Sequence, residues 1–151
     1  MTQESIDPNW IGQGTEEEEI YKENILDHYK HPHNFKELKE FTVKHREVNP
    51  VCGDEIELFI KIEDNIIEDI TFSGKGCAIS VAAASMLTDL LKGKPVDAIN
   101  KVTNDTMMKV LGIKIGVVRM KCALLSLNTL TKAIEQLGEE HDKINHQKLT
   151  C

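Results

Sequence analysis

The sequence lacks the segments that would place a protein in or across a membrane. It contains no run of about 18 or more apolar residues, which excludes a membrane-spanning helix. Its first residues lack the basic region and the apolar stretch of a secretory signal. We therefore expect a cytoplasmic protein without a membrane partner. In that reducing compartment the thiols of its four cysteines would stay available for metal or sulfur.

Aromatic residues are also scarce, at 5% of the chain, and no stripe of Lys and Arg interleaves with them. This argues against a nucleic-acid partner. The net charge of −7 arises almost wholly from residues 1–19, which hold six acidic residues and no Lys or Arg, so the rest of the chain is close to neutral. With 151 residues and no internal repeat, the chain is long enough for one domain whose core needs no disulfide.

Alternating apolar and polar residues predict a small antiparallel sheet. Over residues 55–63 the even positions are all Ile or Leu, the pattern of a half-buried strand. Asp64 and Asn65 suit a two-residue turn, although the favoured glycine is missing. Residues 66–73 then form the returning strand, and residues 42–48 a weaker strand before the pair.

Helical spacing of apolar residues predicts the helices that pack on one face of this sheet. Tyr21, Ile25 and Tyr29 mark a first helix that Pro32 ends. A second helix runs from about Ile79 to Gly93. Two short helices follow at 95–101 and 104–111, the latter capped by Thr103. A last helix covers 120–137 and ends at Gly138.

These elements predict an α+β fold, a three-stranded antiparallel sheet packed by helices in a single compact domain at residues 20–138. Residues 1–19 are assigned to a flexible acidic tail, and its last residues, Thr15 followed by four Glu, favour the start of a helix. Trp10 in this tail has no predicted role. Residues 139–151 are assigned to a polar C-terminal tail.

Three cysteines are candidates for metal chemistry, although none belongs to a Cys-x-x-Cys pair of the zinc-finger type. They are separated by 25 and 45 residues, so only the tertiary fold could join them. Cys52 lies in a Gly/Pro turn, two residues before Asp54, and both side chains could face one ion. The alternative is that Asp54 caps the turn and Cys52 fills space.

The other two cysteines lie near predicted helix starts. Cys77 follows a glycine loop where strand gives way to helix, and Cys122 follows Arg119 and Lys121. A helix N-terminus and nearby cations favour the reactive thiolate. Taken alone, each of these cysteines is more consistent with a small thiol packed in the core.

The three cysteine motifs together resemble one family. They read Asn-Pro-x-Cys-Gly-Asp, Gly-x-Gly-Cys-Ala-Ile-Ser and Arg-x-Lys-Cys-Ala, in that order. This combination resembles the IscU/NifU-type iron–sulfur cluster assembly scaffolds over about residues 20–137, and residues 29–34 are similar to that family's opening helix and turn. The resemblance implies an IscU/SufE-like fold.

The resemblance also implies a scaffold that is not an enzyme. Such a protein accepts sulfur from a cysteine desulfurase, binds iron, assembles a [2Fe–2S] cluster and passes it to recipient apo iron–sulfur proteins or carriers. Cys52, Asp54, Cys77 and Cys122 would hold the iron and the cluster. The same donors suit zinc. The alternative function is therefore a zinc-dependent persulfide acceptor, a SufU-like sulfurtransferase that stimulates a desulfurase.

Two departures from the family pattern bear on these alternatives. Lys121 stands where many members carry histidine and resembles the SufU branch, whereas that branch's long insertion between the second and third cysteines is missing. Residues 115–119 lack both prolines of the Leu-Pro-Pro-Val-Lys motif, which argues against a dedicated Hsp70 chaperone as a partner.

We expect Lys121 and Cys122 to carry the sulfur chemistry. Lys121 would pair with Asp54 or lower the pKa of Cys122; the alternative is an ordinary exposed lysine. Cys122 would be the first persulfide acceptor, whereas the SufU-like alternative favours Cys52. The six histidines have no ligand spacing with the cysteines and are expected to be solvated or to pack. Cys151 is expected to be a spectator thiol.

Overall fold

The computed structural model describes the backbone of residues 16–150 and the side chains of residues 16–138. Trp10, and the predictions for Thr15 and Cys151, lie outside this range. In chain order the elements are α1 (Glu16–Lys30), β1 (Val43–Asn49), β2 (Asp54–Glu63), β3 (Ile66–Lys75), α2 (Ala78–Leu91), a 3₁₀ helix (Val96–Lys101), α3 (Asn104–Leu111) and α4 (Val117–Thr150). Among the described residues, no helix is long and apolar enough to cross a membrane.

The three strands form one antiparallel sheet in the order β1–β2–β3, as the sequence predicts. Asp64 and Asn65 connect β2 to β3, and their φ angles of 53° and 62° are the two positive values that a tight hairpin turn requires. Asn and Asp tolerate this conformation better than other non-glycine residues, which explains the turn without glycine. A register shift at Lys61 and Ile62 interrupts the pairing near this turn.

The core lies between the inner face of the sheet and helices α2 and α4. Ile56, Leu58 and Ile60 of β2 are fully buried, as are Ile70 and Phe72 of the neighbouring strand. Helix α2 is buried on almost every side, because it packs against α1, α4 and β3. An apolar helix surrounded in this way fixes the position of its own N-terminus, where Cys77 lies.

The predicted N-terminal helix is present, with a different buried face. Glu16 to Glu19 form its first turn, where negative charge is favourable, so the helix starts inside the stretch assigned to the acidic tail. Ile25 and His28 are buried, whereas Tyr29 is 43% exposed. The prediction that Tyr29 belongs to the buried face of this helix is therefore wrong. The buried face includes His28 instead.

The last helix is longer at both ends than the sequence predicts. It begins at Val117 because the Gly116 carbonyl accepts hydrogen bonds from the Arg119 and Met120 amides, at 3.1 and 3.0 Å. It continues through Gly138 to Thr150, so the predicted end at Gly138 is wrong. A glycine inside a helix costs about 1 kcal/mol relative to alanine but does not by itself end the helix.

Candidate metal and sulfur site

The hairpin between β1 and β2 presents Cys52 and Asp54. Asn49 organises this loop, because its backbone carbonyl accepts the Gly53 amide at 2.8 Å and its side-chain oxygen accepts the Val51 amide at 3.3 Å. Gly53 has a φ of +74°, a left-handed conformation that glycine adopts without strain. The loop leaves Cys52 exposed and turns Asp54 inward, where only 2% of its surface is accessible.

Asp54 is joined directly to Cys77. One carboxylate oxygen accepts the Cys77 amide at 3.0 Å, and the other lies 3.9 Å from Cys77 Sγ. Because Cys77 is the N-cap residue of α2, the carboxylate also lies at the positive end of that helix. A Cβ at Gly76 would lie 2.3 Å from Ser80 Oγ and 2.8 Å from an Asp54 oxygen, so this close approach requires glycine.

Cys122 forms the floor of the site. Its Sγ lies 3.6 Å from Cys52 Sγ, and the buried Asn49 amide group donates to it at 3.9 Å. One ligand atom from each of Cys52, Asp54 and Cys122 lies within 4.8 Å of the others. The structure thus brings the four sequence-predicted residues together, with Cys77 attached through Asp54.

The prediction that Cys122 lies at the start of the last helix is wrong. Because α4 begins at Val117, Cys122 lies in its second turn, behind the helix end, and it is fully buried. Burial, followed by its hydrogen bond with Asp54 and the nearby Cys77, raises the pKa of Cys122 well above its usual range. Cys122 is therefore the least accessible of the three thiols, whereas the Cys52 thiol is open to solvent.

Lys121 also lies away from its predicted place. It is exposed and lines a neighbouring groove between the β1 end and α4, and within residues 16–138 no ion pair joins its Nζ to Asp54. Lys75 and Arg119 line the cysteine cleft instead. Both belong to the sequence motifs around Cys77 and Cys122, but their orientation depends on where α2 and α4 begin.

The cleft is an open space of about 430 Å³ next to the thiols. Thiolate sulfur and carboxylate oxygen are donors that zinc accepts, and thiolates are the usual ligands of iron–sulfur clusters. The two cations that line the cleft favour bound thiolates and an anionic cargo. The residues present therefore fit a zinc ion, and they also fit iron and sulfide as cargo.

Known proteins with similar sequences and structures were found for most of the chain. Residues 20–143 match the NifU-like N terminal domain. The chain is 34% identical to the iron–sulfur cluster assembly scaffold protein IscU 1 of Archaeoglobus fulgidus, covering 85% of this chain and 84% of that protein. It is 36% identical to the zinc-dependent sulfurtransferase SufU of Bacillus subtilis, covering 76% and 89%.

A solved structure shares the fold as well as part of the sequence. It is a protein put forward as an iron–sulfur cluster assembly scaffold for the SUF system of Fervidobacterium islandicum AW-1, with a TM-score of 0.63 and 28% identity. The match covers 76% of this chain and 96% of that structure. The α+β fold predicted from the sequence is thereby confirmed, and the chain belongs to the family of the NifU-like N terminal domain.

Proposed function

We propose that this protein is a scaffold on which an iron–sulfur cluster, of the [2Fe–2S] type, is assembled and then released to recipient proteins. The observation that carries the proposal is the meeting of three separated thiols and one buried carboxylate at an open cleft. The IscU relatives, named as scaffolds, support the same function. Because one donor is an oxygen, the cluster is held by an incomplete thiolate set, which suits transfer.

We assign the first sulfur acceptance to Cys52, in place of Cys122. Cys52 is the exposed thiol at the hairpin, so a desulfurase loop can reach it. Its thiolate attacks the outer sulfur of the desulfurase persulfide, and the desulfurase cysteine leaves as a thiolate. Cys122 Sγ, 3.6 Å away, would be placed to bind the iron of the cluster, and its thiol proton would be released to solvent when the metal binds.

The partners follow from this chemistry. A cysteine desulfurase supplies the sulfur, and an apo iron–sulfur protein or carrier receives the cluster. The apolar side chains of Val51, Val117 and Val118 are exposed beside the cleft, at 71%, 89% and 67%, and offer contact area for such partners. A reducing compartment such as the cytoplasm would keep the three thiols free for this role.

The test is anaerobic reconstitution with ferrous iron, a cysteine desulfurase, cysteine and a thiol reductant. We expect visible cluster absorbance, about two irons and two acid-labile sulfides per cluster, and later transfer to an apo iron–sulfur protein. Cys52→Ser, Cys77→Ser and Cys122→Ser should each reduce the cluster yield severalfold. Cys151→Ser is the matched control and should leave it unchanged. A full yield in all three site variants would contradict the proposal.

The second candidate is a zinc-dependent sulfurtransferase. It is favoured by the similarity to SufU of Bacillus subtilis and by a donor set that suits tetrahedral zinc. In that case the protein would retain about one zinc per chain, and zinc removal would abolish its stimulation of desulfurase turnover. In a scaffold, iron and sulfide would instead replace the zinc, and the cluster that forms would be transferred to a recipient protein.

A further inference from the structure

A second group of metal-binding side chains lies where α1 and the turn after it meet α2. His28 belongs to the last turn of α1, His33 to the turn that follows, and Asp89 to the C-terminal part of α2. One ligand atom from each lies within 4.8 Å of the other two. The imidazole rings of His28 and His33 have their centroids 4.4 Å apart. None of these residues takes part in the cysteine site.

Hydrogen bonds already hold the three side chains in this arrangement. Ser85 Oγ lies 2.7 Å from His28 Nδ1 and accepts the His33 amide at 2.8 Å. Asp89 uses one oxygen for His33 Nδ1, at 2.5 Å, and the other for the Asn34 side-chain amide, at 3.0 Å. Such contacts to neighbouring groups orient the ligands of metal sites. The group is therefore fixed before any ion binds.

The exposure and charge of the group also suit a cation. His28 is 8% exposed, and its imidazole forms the buried side of the group. Asp89 supplies a negative charge and is 44% exposed, and His33 is 48% exposed, so an ion can enter from solvent.

We propose that His28, His33 and Asp89 form a second site, for a divalent transition ion such as Zn²⁺. Two imidazoles and one carboxylate match the ligands that zinc takes, and a fourth position stays open to water. The ion would replace the hydrogen bond between His33 and Asp89 and would join the end of α1 to α2. Asp89 follows Cys77 by twelve residues on the same helix, which at 1.5 Å per residue is about 18 Å, so the two sites are separate.

The experiment uses the untagged chain with Cys52, Cys77, Cys122 and Cys151 all replaced by Ser, so that thiol binding is removed. After equilibration with Zn²⁺ at pH 7.5 and gel filtration, we expect about one zinc per chain and a higher Tm than in the metal-free protein. Adding His33→Gln should weaken binding at least tenfold and abolish the rise in Tm. Co²⁺ in place of Zn²⁺ should give visible bands that the same substitution removes.

His31→Gln is the matched control, because His31 is an exposed imidazole in the same turn. It should leave the zinc content and the Tm rise unchanged. Retention of zinc by the His33→Gln variant, equal loss in both variants, or no zinc in the cysteine-free chain would overturn the proposal. If that chain does not fold, the parent chain serves: His33→Gln should lower its zinc content by one ion relative to His31→Gln, and equal content would overturn the proposal.

Discussion

Asp54 performs two tasks, and they call for separate tests. One carboxylate oxygen caps the N-terminus of α2 through the Cys77 amide, and the other faces the thiols at the cleft. The first task is structural, since an acceptor at a helix N-terminus typically contributes about 1 kcal/mol to stability. The second task belongs to the proposed function, in which an oxygen donor would leave one corner of a cluster weakly held.

We predict that Asp54→Ala retains a reconstituted cluster longer than the parent chain. The weakly bound oxygen is removed, so the cluster should be released severalfold more slowly. The measurement is the decay of visible absorbance after anaerobic reconstitution. Asp54→Asn keeps an oxygen that can accept the Cys77 amide and therefore controls for the loss of the helix cap. Faster decay in Asp54→Ala than in both the parent and Asp54→Asn would show that the carboxylate holds the cluster in place.

The three thiols should differ in reactivity. Cys52 is exposed, Cys77 is half-buried and Cys122 is fully buried, with a pKa raised mainly by that burial. Because only a reachable thiolate is alkylated, iodoacetamide at pH 7.5 should modify Cys52 first and Cys122 at least tenfold more slowly. Peptide mass spectrometry over time gives the three rates. Equal rates for Cys52 and Cys122 would place both at the surface and would remove the reason for choosing Cys52 as the first acceptor.

His28 should make the fold sensitive to acid. Its folded-state pKa is lowered from the ordinary 6.5, so the unfolded chain binds more protons as the pH falls. The contribution to stability is therefore complete above about pH 6.5 and is lost as the pH falls through the lower folded pKa. Urea unfolding at pH 7.5 and 5.5 should show lower stability at pH 5.5. His31→Gln should keep this difference, and His28→Gln should reduce it; an unchanged difference in His28→Gln would contradict the assignment.

At the scale of elements, the strand-to-helix junction at Gly76 leaves no room for a side chain. Alanine there would bring its Cβ within 2.3 Å of Ser80 Oγ, and the Ser80 hydroxyl is buried and donates to the Cys77 carbonyl. We predict that Gly76→Ala lowers the free energy of unfolding by about 1–3 kcal/mol and reduces cluster yield. Chemical denaturation measures the first effect. An unchanged midpoint would mean that the junction can shift to admit a methyl group.

The other informative glycine lies inside α4. Nothing approaches the position of a Cβ at Gly138, and the helix continues beyond it. Alanine loses less conformational entropy in a helix, so Gly138→Ala should stabilise the protein by about 0.5–1 kcal/mol. Thermal or urea unfolding against the parent chain measures this change. Destabilisation would instead place Gly138 in a left-handed helix end, as the sequence suggested.

The elements predicted most accurately are those whose signals are local. The β2–β3 hairpin follows from residue alternation and a turn pair, and α3 follows from the Thr103 cap, which the structure confirms as a capping box with Thr106. The bounds of α4 could not be predicted in the same way. A glycine in the sequence does not reveal whether the helix ends at that residue or continues past it. Only tertiary packing and the preceding loop determine where the helix begins and ends.

At the scale of the whole molecule, the residues of the cysteine site were predictable and their individual environments were not. Motif order identified Cys52, Asp54, Cys77 and Cys122, but burial depends on which faces of α2 and α4 meet the sheet. For the same reason the sequence indicated Lys121 beside the site, whereas Arg119, two residues earlier, lines it. Side chains two positions apart on a helix point in directions that differ by about 200°. A prediction that does not know where the helix begins therefore cannot tell which of the two cations faces the site.

Helix α2 connects the two sites that we propose. Cys77 is the N-cap residue of this helix, while Ser85 and Asp89 contact the histidines near its other end. Because the helix is buried along most of its length, movement at one end requires repacking of the core. An ion held by His28, His33 and Asp89 would therefore restrict α2 and, with it, the position of Cys77.

The sheet of three strands is protected at both of its edges. Along β3, the Phe72 amide donates to the Asn34 carbonyl at 3.0 Å, and Ile67 exchanges hydrogen bonds with the segment at Gly93 and Lys94, both at 2.8 Å. Along β1, Lys44 and Arg46 are exposed. Occupied hydrogen-bonding groups and edge charges both oppose the pairing of strands between molecules. The same loops and charges that complete the fold therefore also limit aggregation when the protein is concentrated.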